Sequence, residues 1–465
     1  MTIVINLAKY FKLNKSIATS SINDKLNPSI LMNIYWLIGD KIFRLGGGLV
    51  VGILVAKYLG PEKFGIFSFS FSYVWMFSYI VTLGLDEIVL RELIKAPDLK
   101  NKLLGTALGT KFFGGIVSIF LIGISIFFIK REDNEIILIT LIMAVSMIIK
   151  NVGVFRLFFE AQLNSKYNVW AENIGFIAVS MLKIYFVFIA APLIFFVWAL
   201  VFEVIISSLV FIYIYWKNGH NIYDWKYEFI LAKKLLKESW PLIMSGISVM
   251  IYVKSDQVML GLMANNYETG IYSVATKISE LWYFIPVALV SSFFPSIVQS
   301  KAQGEKKYLA NWQFFFNLLV YLSFGIGFFI SFLSNFLILL LFGNEYADAS
   351  NILRIHTWSC IFVFLGVASA KYLLIENLQK IYFYQTLIGA FCNVVFNILL
   401  IPFYGAKGAA IATLFSYGLS VFSCLFFSRS KNLGNMLLNS LNLYKNFKYD
   451  FKKICKKDNS TKISQ

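Results

Sequence analysis

The sequence is poor in charged residues, in histidine and in cysteine. Only 14% of its 465 residues are charged, whereas soluble domains average about 25%. Two histidines and four cysteines without a Cys-x-x-Cys pair predict neither a metal site nor a disulfide framework, and no cofactor is expected. The first 30 residues contain no apolar stretch of the kind that marks a cleavable signal peptide. These shortages argue against a soluble enzyme domain.

Apolar residues are abundant instead, at 58% of the chain with a mean hydropathy of +0.70. About 20 mainly apolar residues are needed for a helix to cross a bilayer. The sequence therefore predicts an all-α polytopic membrane protein, and the run 312–342 leaves room for a second short helix. The twelve predicted spans are 34–56, 64–90, 103–129, 136–159, 170–190, 194–216, 240–263, 270–297, 312–334, 350–374, 381–402 and 405–428.

The basic residues are distributed unevenly between the loops. The net charge is +17, and the excess lies in alternate loops and in the tails, as the positive-inside rule predicts for a membrane protein. Both termini are therefore expected in the cytoplasm, and nucleic acid is not an expected partner. The predicted outer loops contain only Lys57, Lys63, Lys130, Arg131 and Lys407.

Two turns in the sequence resemble each other. The stretch 54–68 ends in Gly65-Ile66-Phe67-Ser68, and the stretch 259–273 ends in Gly270-Ile271-Tyr272-Ser273, 205 residues later. The first turn joins spans 1 and 2, and the second joins spans 7 and 8. An even number of spans in each half predicts a parallel repeat with an axis along the membrane normal.

The repeat divides the chain into two six-helix bundles of equal topology. The extramembrane pieces are too short to hold a catalytic domain, so an enzyme is not predicted. The predicted organisation is a cytoplasmic segment at 1–33, an N-terminal bundle at 34–216, a cytoplasmic linker at 217–239, a C-terminal bundle at 240–428 and a basic cytoplasmic tail at 429–465.

Several charged residues fall within the predicted spans, where an unpaired charge is costly. The basic ones outnumber the acidic ones, which suits a cavity for a phosphate or pyrophosphate. Helical spacing also allows the pairs Asp40–Arg44, Glu87–Arg91, Lys277–Glu280 and Arg156–Glu160, and residues near span ends can extend to the interface instead. The candidates for substrate binding are Arg44, Lys111, Lys150, Lys183, Lys254, Lys277 and Arg354, and those for ion coupling or pairing are Asp40, Glu203, Asp256 and Glu280.

Four stretches resemble motifs of the Wzx-type O-antigen and polysaccharide flippases, within the multidrug/oligosaccharidyl-lipid/polysaccharide exporter (MOP) superfamily. They occur in the family's order on the twelve predicted spans. The resemblance extends from about residue 31 to 428, and its motifs are 54–68 (LVAKYLGPEKFGIFS), 254–261 (KSDQVMLG), 270–280 (GIYSVATKISE) and 404–413 (YGAKGAAIAT).

The resemblance implies two parallel six-helix bundles around a central cavity, as in the MATE transporters. It implies a flippase that moves undecaprenyl-pyrophosphate-linked oligosaccharide units, such as those of O-antigen and lipopolysaccharide, to the outer leaflet. The protein would lie in the inner membrane of a bacterium and use H⁺ or Na⁺ as a coupling ion. Membrane lipids, a polysaccharide polymerase and a chain-length regulator are further candidate partners. By position, the resemblance supports functional roles for Asp256, Lys277 and Glu280.

Three alternatives stay open at this point. A multidrug extruder of the same superfamily would need an acidic interior for cationic drugs, and a flippase for lipid II or teichoic-type precursors would share the topology. A membrane polymerase or ligase would need a large outer loop with catalytic groups, which the short predicted loops disfavour.

Overall fold

The computed structural model describes residues 28–442, so most of the predicted N-terminal segment and the end of the tail lie outside the described residues. Every regular element within 28–442 is helical, as expected for an all-α protein. The helices are α1 (Pro28–Met76), α2 (Ser78–Thr82), α3 (Leu85–Lys95), α4 (Lys100–Ile129), α5 (Asn134–Ile149), α6 (Val154–Ala161), α7 (Ser165–Phe188), α8 (Leu193–Lys217), α9 (Phe229–Met263), α10 (Asn266–Ser279), α11 (Phe284–Lys301), α12 (Glu305–Phe342), α13 (Ala349–His356), α14 (Ser359–Ile375), α15 (Gln379–Phe422) and α16 (Lys431–Ser440).

Two of these helices are broken by a glycine. Gly60 in α1 has φ 70° and Gly405 in α15 has φ 53°, which is a left-handed conformation that glycine adopts without a steric penalty. Gly60 falls between two predicted spans, and Gly405 is the first residue of the predicted span 405–428. In each case, parts of two neighbouring predicted spans belong to one helix. Nine stretches within the described residues are long and apolar enough to cross a membrane, and two of them, 39–95 and 379–426, contain these breaks.

The predicted total of twelve spans stays a prediction. The segment 240–263 is not among the nine stretches, although it is helical within α9, because its second half contains Lys254 and Asp256 among other polar residues. The run 312–342, in contrast, belongs to the single continuous helix α12 and does not contain a separate second helix.

Two segments that were predicted to lie outside the membrane, the linker and the tail, are partly helical in the structure. Helix α9 already begins at Phe229, so the second half of the predicted linker continues into the next span. The first part of the predicted tail forms α16, which buries Leu433 and Leu437 against α12. Both differences arise because amphipathic segments outside the membrane become helical when one face packs on the bundle.

The hydrophobic cores show where the two halves meet. One core combines residues of both halves, such as Phe69 and Ile271. The two other cores are built almost entirely from one half each, around Trp312 in the C-terminal half and around Phe158 in the N-terminal half. The shared core lies towards the turns at Gly60 and Asn265, which form the predicted outer face. The halves are therefore packed together near the predicted outer face and have separate cores near the predicted inner face.

Candidate functional site

A cavity lies between the two halves, on the side where their cores separate. Its volume is about 930 Å³, within the range typical of sites for small molecules. Most of its wall comes from α1 to α8, and the C-terminal half contributes residues between Leu242 and Met250 together with Tyr382. Its charged lining residues are Arg44, Lys111, Lys150, Arg156, Asp86, Glu87, Glu172 and Glu203.

Three of these cations surround one carboxylate and form what we call the cationic cluster: Arg44, Lys150 and Arg156 around Glu172. Arg44 Nη1 lies 2.5 Å from Glu172 Oε2, and Arg156 Nη1 lies 3.9 Å from Glu172 Oε1. Arg156 also lies 3.9 Å from Glu160. Glu172 therefore bridges two arginines that come from different helices, α1 and α6.

Lys150 has no carboxylate within 4.0 Å among the described residues. Its Nζ lies 4.1 Å from the centre of the Trp75 ring, in a cation–π contact of the kind that stabilises a desolvated cation. The side chain is within electrostatic range of two cations, Arg44 and Arg156, and of two carboxylates, Glu172 and Asp86. The cationic cluster thus has a local excess of positive charge, which is the property that attracts an anion.

Acidic residues also line the cavity. Lys111 is only 3% exposed, and its ammonium group is paired with the half-exposed carboxylate of Asp86. Glu87 lines the cavity beside Asp86. Asn151 donates a hydrogen bond to the carbonyl oxygen of Lys111 at 2.9 Å and links α4 to the turn after α5.

Lys183 does not line the cavity but is held at its margin. Its Nζ lies 3.6 Å from Glu203, which does line the cavity. Lys277 lies where α10 packs on α1, with its Nζ 5.1 Å from the Phe64 ring and close to Gly52. Neither lysine is positioned to contact a molecule in the cavity directly.

Asp256 is the centre of a buried polar cluster in the C-terminal half. Asn393 and Asn397, one turn apart on α15, donate hydrogen bonds to Asp256 Oδ1 at 2.9 and 2.6 Å. Tyr272 donates to Oδ2 at 2.7 Å, and Thr413 donates to the same oxygen. The cluster joins α9, α10 and both parts of α15.

The Asp256 cluster offers oxygen atoms, which are the ligands that hard cations prefer. Asn397 Oδ1 is buried without a hydrogen-bond partner among the described residues and adds a further oxygen. Within residues 28–442, no three histidine, cysteine, aspartate or glutamate side chains are grouped in a way that could hold a metal ion. The cluster presents one carboxylate together with amide and hydroxyl oxygens.

The remaining predicted residues lie elsewhere. Lys254 is partly buried on α9, whereas Arg354 and Glu280 are exposed, and none of the three lines the cavity. Asp40 lies in a separate groove, described below. Of the seven predicted cations, the fold brings Arg44, Lys111 and Lys150 to the cavity.

Three of the predicted ion pairs are wrong. Arg44 pairs with Glu172 and not with Asp40, and Arg91 pairs with Glu92 and Glu238 and not with Glu87. Lys277 and Glu280 are not among the ion pairs within 28–442. For Arg44 and Arg91, a neighbouring element offers a better-placed carboxylate than the residue one turn away. The predicted pair Arg156–Glu160 is present.

The cavity lining has four basic and four acidic residues, so the predicted overall excess of basic groups is also wrong. Lys254, Lys277 and Arg354 lie outside it, and Glu172 faces inward. Glu172 and Arg156 are the residues that sequence reasoning missed. Both lie near a predicted span end, where interfacial positions are common, and only the contacts of Glu172 with Arg44 and Arg156 distinguish them.

Comparisons with known proteins agree with this architecture. The family model described as "Polysaccharide biosynthesis protein" matches residues 30–301, and the model described as "MatE" matches 241–399. A relative from Haloferax volcanii, named "Probable low-salt glycan biosynthesis flippase Agl15", is 23% identical over 208 residues, 42% of each chain. The match thus spans less than half the length of that relative.

Two solved structures share the fold over most of their length. The lipid II flippase MurJ, in an inward closed conformation, matches with a TM-score of 0.67 at 16% identity and covers 90% of this chain and 93% of its own. An inward-facing multidrug resistance MATE family transporter of the MOP superfamily gives 0.66 at 14%, covering 86% and 95%. Because the first family model covers more than half of the sequence, the chain belongs to the polysaccharide biosynthesis protein family.

Proposed function

We propose that this protein is a flippase that moves undecaprenyl-pyrophosphate-linked oligosaccharide units from the cytoplasmic to the outer leaflet of a bacterial inner membrane. The observation that carries the proposal is the cationic cluster of Arg44, Lys150 and Arg156 in a cavity of about 930 Å³ between the two halves. The family membership and the relative named as a glycan biosynthesis flippase support the substrate class.

The cationic cluster suits a pyrophosphate for a geometric reason. Arginine binds phosphate oxygens through two parallel hydrogen bonds, and lysine adds a point charge. Lys150 is free of carboxylates within 4.0 Å among the described residues and is therefore available to a first phosphate oxygen. The sugars would occupy the rest of the cavity, and the lipid chain would stay in the bilayer.

The substrate can replace Glu172 as the ion-pair partner of the two arginines in the cationic cluster. In the structure Glu172 holds Arg44 and Arg156, so neither arginine is an unpaired charge in the absence of substrate. A pyrophosphate carries more negative charge than one carboxylate and can take over both arginines. Glu172 would then set the affinity of the cavity by competing with the substrate.

Transport requires that the cavity open alternately to the two sides. The shared core near the predicted outer face and the separate cores near the predicted inner face support a state in which the substrate site belongs to the cytoplasmic side. Binding shifts the equilibrium between two states only through a difference in affinity between them. The cationic cluster lies on the N-terminal half, and α9 of the C-terminal half lines the other part of the cavity wall. The distance between the cluster and α9 therefore changes between the two states.

We assign ion coupling to Asp256, with H⁺ or Na⁺ as the ion. Its carboxylate is buried and bonded to four donors from two other helices. Neutralising that charge would weaken the hydrogen bonds that join α9, α10 and α15, and this links ion occupancy to helix packing. Membrane lipids, a polysaccharide polymerase and a chain-length regulator remain proposed partners, with both termini in the cytoplasm.

Lipid extraction from cells that lack this protein tests the proposal. Mass spectrometry should find a complete polyprenyl-pyrophosphate oligosaccharide unit that accumulates, together with loss of the surface polymer. Re-expression of the natural chain should reverse both effects, and re-expression of the Arg44→Ala variant should not. A mutant without accumulation and with normal surface polymer would refute the flippase assignment.

A cation extruder of the same superfamily is the second candidate. Asp86 and Glu87 give one side of the cavity an acidic surface, and the MatE family model matches 241–399. Increased sensitivity of the deletion strain to cationic drugs, without accumulated lipid-linked sugar, would favour it. Accumulation of lipid II or of a teichoic-type precursor would instead redefine the carried lipid.

A further inference from the structure

A second, smaller cavity lies outside the site described above. It is a groove of about 350 Å³ between α1 and α7. Met32, Trp36, Asp40 and Phe43 line it from α1, at spacings of three and four residues that place them on one helix face. Val169 and Asn173 line it from α7. The groove and the cavity between the halves have no lining residue in common.

Aromatic contacts fix both ends of this groove. The rings of Trp36 and Trp170 meet edge to face at 6.3 Å between centroids, and those of Phe43 and Phe176 do so at 5.9 Å. Trp36 and Phe43 are seven residues apart, so the groove extends about 10 Å along α1. The spacing between α1 and α7 is therefore maintained by large side chains, and the groove is a built feature of the fold.

Two oxygen atoms in the groove have no hydrogen-bond partner among the described residues. They are Asp40 Oδ1 and Asn173 Oδ1, and both are buried. An unsatisfied buried acceptor costs free energy, and a charged one costs more. Both atoms can only accept, so the missing partner must donate hydrogen bonds. A positive charge is further favoured by the Asp40 carboxylate and by the Trp36 and Phe43 rings.

We propose that this groove binds a membrane lipid with a primary amine headgroup, of the phosphatidylethanolamine type. The ammonium group donates to Asp40 Oδ1 and to Asn173 Oδ1, and the acyl chains lie on the apolar wall. The groove opens at the surface of the bundle, where Met32 and Phe43 are about half exposed. Asp40 lies about 9 Å inside the first predicted span, a depth at which a carboxylate usually has a cationic partner.

The groove lies next to the cationic cluster in the sequence of both α1 and α7. Asp40 lies one turn before Arg44, and Asn173 directly follows Glu172. A lipid bound in the groove therefore stabilises the arrangement of α1 against α7 on which the Arg44–Glu172 pair depends. The lipid occupies a separate site and is not the transported molecule, so its binding can be measured without any assumption about transport.

Native mass spectrometry of the full chain, released from nanodiscs of phosphatidylethanolamine, phosphatidylglycerol and phosphatidylcholine in equal amounts, tests the proposal. The natural protein should retain phosphatidylethanolamine in preference to phosphatidylglycerol. It should also prefer it to phosphatidylcholine, whose trimethylated amine cannot donate. Asp40→Asn should reduce retention of phosphatidylethanolamine about tenfold, the effect of losing a hydrogen bond to a charged group.

Two further variants make the test specific. Gly39→Phe should fill the groove and displace the lipid with Asp40 intact, since Gly39 lines the groove and a Cβ atom there would meet no described atom within 4 Å. Asp98→Asn removes an exposed acid elsewhere and should retain lipid like the natural chain. If Asp40→Asn does not fold, the headgroup comparison and Gly39→Phe decide the question. Equal retention of the three lipids, or unchanged retention in Gly39→Phe, would overturn the proposal.

Discussion

Gly65 and Gly270 pack against each other's turns where the two halves of the protein meet. A Cβ atom at Gly65 would lie 1.8 Å from the carbonyl oxygen of Asn266, and one at Gly270 would lie 1.9 Å from that of Pro61. Positions 61 and 65 become 266 and 270 on adding the repeat offset of 205 residues. The contact is therefore reciprocal, as a two-fold axis requires, and the repeated turns themselves hold the halves together.

Alanine at Gly65 should destabilise this contact. The backbone of α10 would have to move, and overpacking of this kind costs about 1–3 kcal/mol. We expect Gly65→Ala and Gly270→Ala to lower the thermal midpoint of the purified protein and to reduce transport. Gly46→Ala is the matched control, because a Cβ there meets no atom within 4 Å. A midpoint for Gly65→Ala equal to that of the control would show that the contact is not tight in solution.

Replacing Glu172 by glutamine should strengthen anion binding. The change removes the competing charge and leaves Arg44 and Arg156 available, so farnesyl pyrophosphate should bind severalfold more tightly in a titration followed by tryptophan fluorescence. Arg44→Ala should weaken binding by about tenfold or more, as expected for loss of a charge-assisted hydrogen bond. Glu376→Gln removes a carboxylate that pairs with Lys301 far from the cavity and should leave affinity unchanged. Weaker binding in Glu172→Gln would contradict the competition model.

We expect Lys150 to bind the pyrophosphate through its positive charge and not through the shape of its side chain. Lys150→Ala should weaken binding of the same pyrophosphate and reduce its dependence on salt, whereas Lys150→Arg should restore most of the affinity because the cation over Trp75 is preserved. Titrations at low and high ionic strength measure both effects. Lys371→Ala, an exposed lysine outside the cavity, serves as the control. If Lys150→Ala and the control behave alike, the anion does not bind at the cationic cluster.

Asp256→Asn should uncouple the transporter from its ion. The amide is nearly isosteric with the carboxylate but has no charge to neutralise, so flipping in proteoliposomes should no longer respond to an imposed H⁺ or Na⁺ gradient. Asp98→Asn should respond like the natural chain. A gradient response that persists in a folded Asp256→Asn variant would place coupling elsewhere, with Glu280 and Glu203 the next candidates.

His220 should give the predicted cytoplasmic linker a measurable pH dependence. Burial lowers the pKa of His220 from its ordinary value of 6.5, and the nearby Lys100 ammonium lowers it further. The folded state thus favours the neutral ring, so stability is complete above pH 6.5 and falls as the pH drops below it. Thermal midpoints at pH 8.0 and 5.5 should differ less for His220→Gln than for the natural chain. An unchanged difference would assign the pH dependence to other groups.

The ion pairs at the site show which contacts can be predicted from the spacing of residues in the sequence. The spacing of Arg156 and Glu160 predicted their pair correctly, because both lie on one helix and helical geometry fixes their separation. The same reasoning paired Arg44 with Asp40, but Arg44 lies against Glu172, 128 residues away. The rotation of α1 about its axis decides between these partners, and that rotation depends on how Phe43 and Phe176 pack.

The sequence by itself determined the membrane-embedded, helical character of this protein and the two repeated turns that contain Gly65 and Gly270. These properties depend on the composition of about 20 consecutive residues or on a short local motif, so no knowledge of neighbouring segments is needed. Only the tertiary structure decided that Glu172 bridges two arginines and that Lys254 and Lys277 lie away from the cavity. Which side chains meet is set by the packing of helices distant in the sequence, and hydropathy does not encode the face that each helix presents.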